Sequence, residues 1–120
     1  MRKVLFVDDE DINLFVFQKR YEKSLNVLTA NNGELAREIL KGNYADLEIV
    51  ISDFKMPDEE GLDLLAALKK MKETLVCYLL TGYEDTQEIL NAKKSGLVKE
   101  VFRKPVNYDL LEKELTDAPL

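Results

Sequence analysis

Short runs of apolar residues alternate along the chain with longer stretches in which apolar positions recur at helical spacing. Lys3 to Val7 is the first such run, Asn26 to Ala30 a shorter and more polar second, and Ile49-Val50-Ile51 the centre of a third. Leu75 to Thr81 and Val98 to Phe102 complete the set. Apolar runs without polar alternation are how strands read when helices cover both faces of a parallel sheet. Between them, Leu14, Phe17, Tyr21 and Leu25 predict a helix from about Ile12 to Lys23 with Asp11 as its N-cap. Leu35, Ala36, Ile39 and Leu40 predict a second helix, closed by Gly42-Asn43. Leu62, Leu65 and Leu68 mark a third after the loop Asp58-Glu59-Glu60-Gly61. Ile89, Leu90 and Ala92 mark a fourth, opened by Glu84-Asp85-Thr86 and closed by Ser95-Gly96. Leu110, Leu111 and Leu115 mark a fifth, over Asp109 to Leu115.

The order is strand then helix, five times over. With right-handed crossovers this alternation gives an α/β fold, a doubly wound parallel sheet between two helical layers. At 120 residues the chain is expected to be a single domain, 1–120. No apolar run approaches the ~20 residues of a membrane span, so neither a membrane segment nor membrane partners are expected, and a cytoplasmic location is.

Composition then removes whole classes of chemistry. The chain has no histidine, which excludes His-based triads, His-ligated zinc and a phosphohistidine carried on this chain. Its net charge of -6 argues against DNA contact, which needs a basic patch to displace counterions from phosphates. The single cysteine, Cys77, lies within an apolar run, reads as a small buried hydrophobe and has no partner for an internal disulfide.

Candidate chemistry gathers at the carboxyl ends of the strands, where open α/β sheets place their ligands. Asp8 and Asp9 follow the first strand, Asp53 the third, Thr81 the fourth and Lys104 the fifth. Taken singly, the acid pair could cap a helix, Thr81 could be a capping hydroxyl and Lys104 a plain strand-end residue before Pro105. With the strands in the order 2-1-3-4-5, the first and third are neighbours across the switch point and all five groups converge. Carboxylates about 4 Å apart repel by roughly 4 kcal/mol at an effective dielectric near 20. Gathering three of them calls for a cation, and hard oxygen ligands with room for water and phosphate favour Mg2+. A carboxylate nucleophile, a metal, a lysine and a hydroxyl are the parts needed to move a phosphoryl group onto an aspartate.

The combination Val7-Asp8-Asp9-Glu10, Ser52-Asp53 with Met56-Pro57 and Gly61, Leu80-Thr81-Gly82 and Lys104-Pro105 resembles the receiver domain of two-component response regulators, including the chemotaxis regulator. The resemblance covers essentially the whole chain. It implies a flavodoxin-like fold with strand order 2-1-3-4-5, and Asp53 as phosphoacceptor. It also implies that Asp9 and Asp53 ligate Mg2+ with the backbone carbonyl of Lys55, Asp8 acting on the metal largely through water. Thr81 and Lys104 would hold phosphoryl oxygens, and the Lys104-Pro105 bond is expected to be cis. Tyr83 and Lys55 stand where the family tunes dephosphorylation, although a plain loop role is equally open; Glu10, Glu59 and Glu60 read as solvated acids. The family usually has Tyr or Phe three residues before the lysine, and this chain has Val101. Phe102 cannot substitute, because adjacent strand residues point to opposite faces.

By that resemblance, a sensor histidine kinase or histidine phosphotransfer protein donates the phosphoryl group, and water later hydrolyses the acyl phosphate. Self-phosphorylation from a small phosphodonor is expected, rather than turnover of a separate substrate. Output passes to a downstream protein partner docked where the fourth helix meets the fifth strand and helix, and a homodimer is compatible with this. The alternative is an interaction module that docks partners whether or not it is phosphorylated. Haloacid-dehalogenase-like phosphatases also use a nucleophilic Asp, but they need an acid two residues later, where this chain has Lys55.

Overall fold

The computed structural model describes residues 1–82 and 85–120. Ten elements alternate: β1 (Lys3–Val7), α1 (Asp11–Tyr21), β2 (Asn26–Ala30), α2 (Gly33–Gly42), β3 (Leu47–Asp53), α3 (Gly61–Met71), β4 (Val76–Thr81), α4 (Gln87–Ser95), β5 (Glu100–Arg103) and α5 (Tyr108–Asp117). The strands form one sheet in the order β2-β1-β3-β4-β5, and every neighbouring pair is parallel. This is the flavodoxin-like order expected from the sequence.

Two apolar clusters flank the sheet because alternate strand residues face opposite ways. On one side Val4, Phe6, Ile49, Ile51, Tyr78 and Leu80 pack against Leu14, Phe17 and Tyr21 of α1 and Leu111 and Leu115 of α5. On the other, Leu5, Val7, Val50, Cys77 and Leu79 pack beneath α2, α3 and α4. Cys77 is buried and free, as its place in an apolar run indicates. Filling both faces explains why the inner strands carry uninterrupted apolar runs. The edge strands β2 and β5 are half-buried or exposed over most of their length, which is why β2 reads as more polar.

The boundaries depart from the sequence reading in small ways. Asp11 is not the N-cap of α1: that position is Glu10, whose side chain makes no capping bond, and Asp11 lies in the first turn. The backbone N–H of Glu10 instead donates to the carboxylate of Asp8. Val98 is buried but precedes β5, because its N–H donates to the Ala92 carbonyl at the end of α4. Asn32 and Thr86 open α2 and α4 as true side-chain N-caps, accepting from the N–H of Leu35 and Ile89 respectively. Gly96 ends α4 at φ +84, a conformation that favours glycine.

Gly61 is fixed by a close approach. A Cβ there would lie 2.1 Å from the backbone oxygen of Asp53. The Gly61 N–H also donates to the Phe54 carbonyl at 2.8 Å. The first turn of α3 therefore rests directly on the backbone that carries Asp53.

Candidate functional site

Each side chain at the carboxyl rim is placed by the strand it ends. Asp8 remains bonded to the sheet through its N–H to the Ala30 carbonyl (3.1 Å). Its two carboxylate oxygens accept from the Glu10 N–H at 2.9 Å and the Asn13 side-chain amide at 3.1 Å. Asp53 is the last residue of β3 and is only 7% exposed. Thr81 is the last residue of β4 and buried. Asp53 is in register with Leu80, so Thr81 stands one step beyond it on the neighbouring strand. Lys104 follows β5; its N–H donates to the Thr81 carbonyl at 2.9 Å, and the peptide bond to Pro105 is cis as expected.

These placements bring Lys104 Nζ to 2.6 Å from Asp53 Oδ1. One carboxylate oxygen each of Asp8, Asp9 and Asp53 lies within 4.8 Å of the others. At an effective dielectric near 20, two full charges at 4.8 Å repel by about 3.5 kcal/mol. Burial raises the Asp53 carboxyl above its ordinary value; the bond to Lys104 opposes this, and the charges of Asp8 and Asp9 reinforce it. Burial would draw the Lys104 ammonium down, but its hydrogen bond to Asp53 and the charges of Asp53, Asp8 and Glu10 outweigh that and raise it. The pair is thus asymmetric: the lysine gains by being there and the aspartate does not.

Three carboxylates against one ammonium leave the cluster with excess negative charge. Its donors are all hard oxygens, and Asp9 is exposed while Asp8 and Asp53 are buried, so one side is open to water. That donor set fits Mg2+, which keeps several waters and takes one or two carboxylates.

The structure thus brings together Asp8, Asp9, Asp53, Thr81 and Lys104. Lys55 is two residues beyond Asp53, with its ammonium 2.6 Å from Glu60 and 5.1 Å from the centre of the Phe54 ring. Tyr83 and Glu84 lie outside the described residues. Glu10 is exposed as expected, but Glu59 and Glu60 are not simply solvated acids. Both Glu59 oxygens accept from the Arg37 guanidinium, at 2.8 and 2.7 Å, because α2 and the loop before α3 meet there. Glu60 is paired with Lys55. Val101 is half-buried in register with Leu79, on the Thr81 face, whereas Phe102 packs on the other face against Tyr78 with ring centroids 5.8 Å apart. Asn13, which holds Asp8, escaped the sequence reading; the signal available was an amide in the first turn of the helix that follows the acids.

Comparison with known proteins agrees with the fold. Residues 4–116 match the family model described as the response regulator receiver domain. The chain is 31% identical over 111 residues to a two-component response regulator of Arabidopsis thaliana, covering 92% of this chain and 20% of that protein. It is 28% identical over 116 residues to a cyclic di-GMP phosphodiesterase of Thermotoga maritima, covering 96% of this chain and 30% of that protein. The chain thus spans less than a third of these curated relatives. Among solved structures it resembles a response regulator receiver domain from Clostridium thermocellum, with TM-score 0.85, 33% identity, and coverage of 93% of this chain and 89% of that one. It also resembles a response regulator of Thermotoga maritima solved with Mg2+ and BeF, with TM-score 0.77, 29% identity and 96% of each chain covered.

Proposed function

This chain belongs to the response regulator receiver domain family, which accepts phosphoryl groups, and on that premise we propose that Asp53 is its phosphoryl acceptor. The observation that carries the proposal is the 2.6 Å contact between Asp53 and Lys104 inside a cluster of three acids. A carboxylate oxygen of Asp53 attacks phosphorus, a P–O bond forms, and the bond from phosphorus to the donor breaks with its electron pair going to the donor. Lys104, already beside that carboxylate, moves its hydrogen bond onto a phosphoryl oxygen, and the Thr81 hydroxyl donates to another. Asp8, Asp9 and Asp53, with the backbone carbonyl of Lys55, would hold Mg2+, which when bound neutralises charge on the transferring group. Asn13 and the Glu10 N–H keep the Asp8 carboxylate turned into the site. Water later attacks phosphorus, breaks the acyl phosphate and returns the free carboxylate.

On the family's pattern the donor is a sensor histidine kinase or histidine phosphotransfer protein, its phosphohistidine lying outside these 120 residues, which contain no histidine. Residues 1–120 act as one receiver unit, and the phosphorylated form is read by a downstream protein at the α4, β5 and α5 face. No described helix is long and apolar enough to cross a membrane, and a cytoplasmic site of action fits this reading. Incubation with Mg2+ and acetyl phosphate followed by intact mass measurement tests the assignment. A single phosphoryl adduct is expected on the wild type and none on Asp53→Ala; an undiminished adduct in the variant would refute it.

Val101 supports a second reading, a module that docks partners independently of phosphorylation. It fills the position beneath Thr81's face with a small side chain rather than a ring. Partner affinity measured with and without beryllium fluoride separates the two: a difference favours phosphorylation control, equality the docking module.

A further inference from the structure

The loop 54–60 runs from the end of β3 at Asp53, through Lys55, to Gly61 at the start of α3. At its ends it is held by backbone bonds, Phe54 N–H to the Leu80 carbonyl and Gly61 N–H to the Phe54 carbonyl, each 2.8 Å. Near its end, at Glu59, it is also tied to a different element. The guanidinium of Arg37 on α2 grips both oxygens of Glu59 at 2.8 and 2.7 Å, a planar two-point contact that fixes direction as well as distance. Arg37 holds the Glu59 carboxyl below its ordinary value, chiefly through that hydrogen bond.

The pair sits where a side chain has been left out. A Cβ on Gly33, the first residue of α2, would lie 2.2 Å from Glu59 Oε1 and 2.9 Å from Arg37 Nη1. Beside it is a cleft of about 70 Å³ whose lining includes Gly33, Met56, Glu59 and Asp9 of the acid cluster. The clamp therefore closes the loop against the start of α2 at the edge of the acid cluster itself.

We infer that Arg37 and Glu59 are positioning residues for the proposed metal site, holding the loop so that the Lys55 backbone carbonyl is presented alongside Asp9 and Asp53. Neither side chain touches the reacting groups. Their effect comes from orientation, as with the outer partners of other metal ligands, whose loss costs about tenfold or more in affinity. The inference rests on the metal site proposed above.

Two mechanisms predict different signs, which makes the test decisive. If the pair acted only through its field, removing the Arg37 cation would tighten Mg2+ binding and removing the Glu59 anion would weaken it. If it positions the loop, both losses weaken binding. Titration calorimetry of MgCl2 into the whole chain is expected to show dissociation constants raised about tenfold in both Arg37→Met and Glu59→Gln. Recovery is expected in the double exchange Arg37→Glu with Glu59→Arg. Amide hydrogen exchange over 54–60, read without Mg2+, should quicken in both single variants while the strands stay protected. Opposite shifts, or affinities equal to the wild type, overturn the positioning role. Wild-type protein that binds no Mg2+ removes the site and this inference together, whereas wild-type binding with indifferent variants removes the inference alone.

Discussion

Asp53 and Lys104 meet at 2.6 Å, Arg37 and Glu59 at 2.7 Å. Despite that likeness, burial and two neighbouring acids push the Asp53 carboxyl up, whereas the Arg37 contact holds the Glu59 carboxyl down. Each pair also rests on a glycine, but the glycines differ in what they face. Beneath Asp53, a Cβ on Gly61 would strike backbone; beneath Glu59, a Cβ on Gly33 would strike the ends of flexible side chains. The first pair is built into the frame with its carboxylate, though not its ammonium, in an unfavourable charged state, and the second is an adjustable tie at its edge. Charge kept at a cost in the folded state is where transfer of a charged group can relieve it.

The sharpest separation is kinetic. Lys104→Ala removes the hydrogen bond that would follow the phosphoryl group, and phosphorylation by acetyl phosphate should slow about a hundredfold, the usual loss for one such donor. Arg37→Met acts only through loop position and should slow it much less at saturating Mg2+. Equal losses, followed by intact mass against time, would erase the distinction between the two pairs.

The glycines give the next largest effect, now on stability. Gly61→Ala forces backbone apart at Asp53 and should cost about 1–3 kcal/mol, as overpacking does. Urea unfolding with chelator present measures it. A Gly61→Ala protein as stable as the wild type would mean that α3 is free to withdraw from Asp53.

Proton linkage separates the pairs by sign. Glu59 is held below its ordinary 4.5, so its contribution is present above that pH and is lost as pH falls through the depressed value. Asp53 is raised above its ordinary 3.8, so the sign reverses: stability is full below that pH and is lost as pH rises through the raised value. Unfolding of wild type, Glu59→Gln and Asp53→Asn in metal-free buffer from acid to neutral pH tests both. The wild-type advantage over Glu59→Gln should grow with pH, and its advantage over Asp53→Asn should shrink. Parallel curves would show that the two carboxylates titrate alike in the fold.

Legibility in the sequence follows the same division. Asp8, Asp53, Thr81 and Lys104 were readable because each ends or directly follows an apolar run, and the parallel topology carries such residues to one rim. The orientation of Val101 and Phe102 was readable from strand alternation alone. The Arg37–Glu59 pair was not, since a charge on a helix face and an acid in a loop, 22 residues apart, have no local pattern that distinguishes a pair from two solvated groups. The N-cap of α1 was misplaced by one residue for a related reason. Several consecutive acids each suit a helix start, and only the demand of Asp8 on the Glu10 N–H decides which of them opens it.

The smallest expected effect is the most informative about the tie at the edge. In Gly33→Ala the atoms nearest the added methyl are Glu59 Oε1, Arg37 Nη1 and Glu59 Cδ, all of them side-chain atoms. They can swing aside, so the unfolding free energy should change by less than about 1 kcal/mol, the typical worth of a partly exposed ion pair. A helical alanine also restrains the unfolded chain more than glycine does, by about 0.4–1 kcal/mol, which offsets part of the loss. Mg2+ affinity should nevertheless fall as it does in Arg37→Met, because the methyl displaces the same contact without removing either charge. A Gly33→Ala protein with unchanged stability and weakened Mg2+ binding separates orientation from charge in one substitution. Unchanged Mg2+ binding would show that the loop keeps its place when the clamp is prised open.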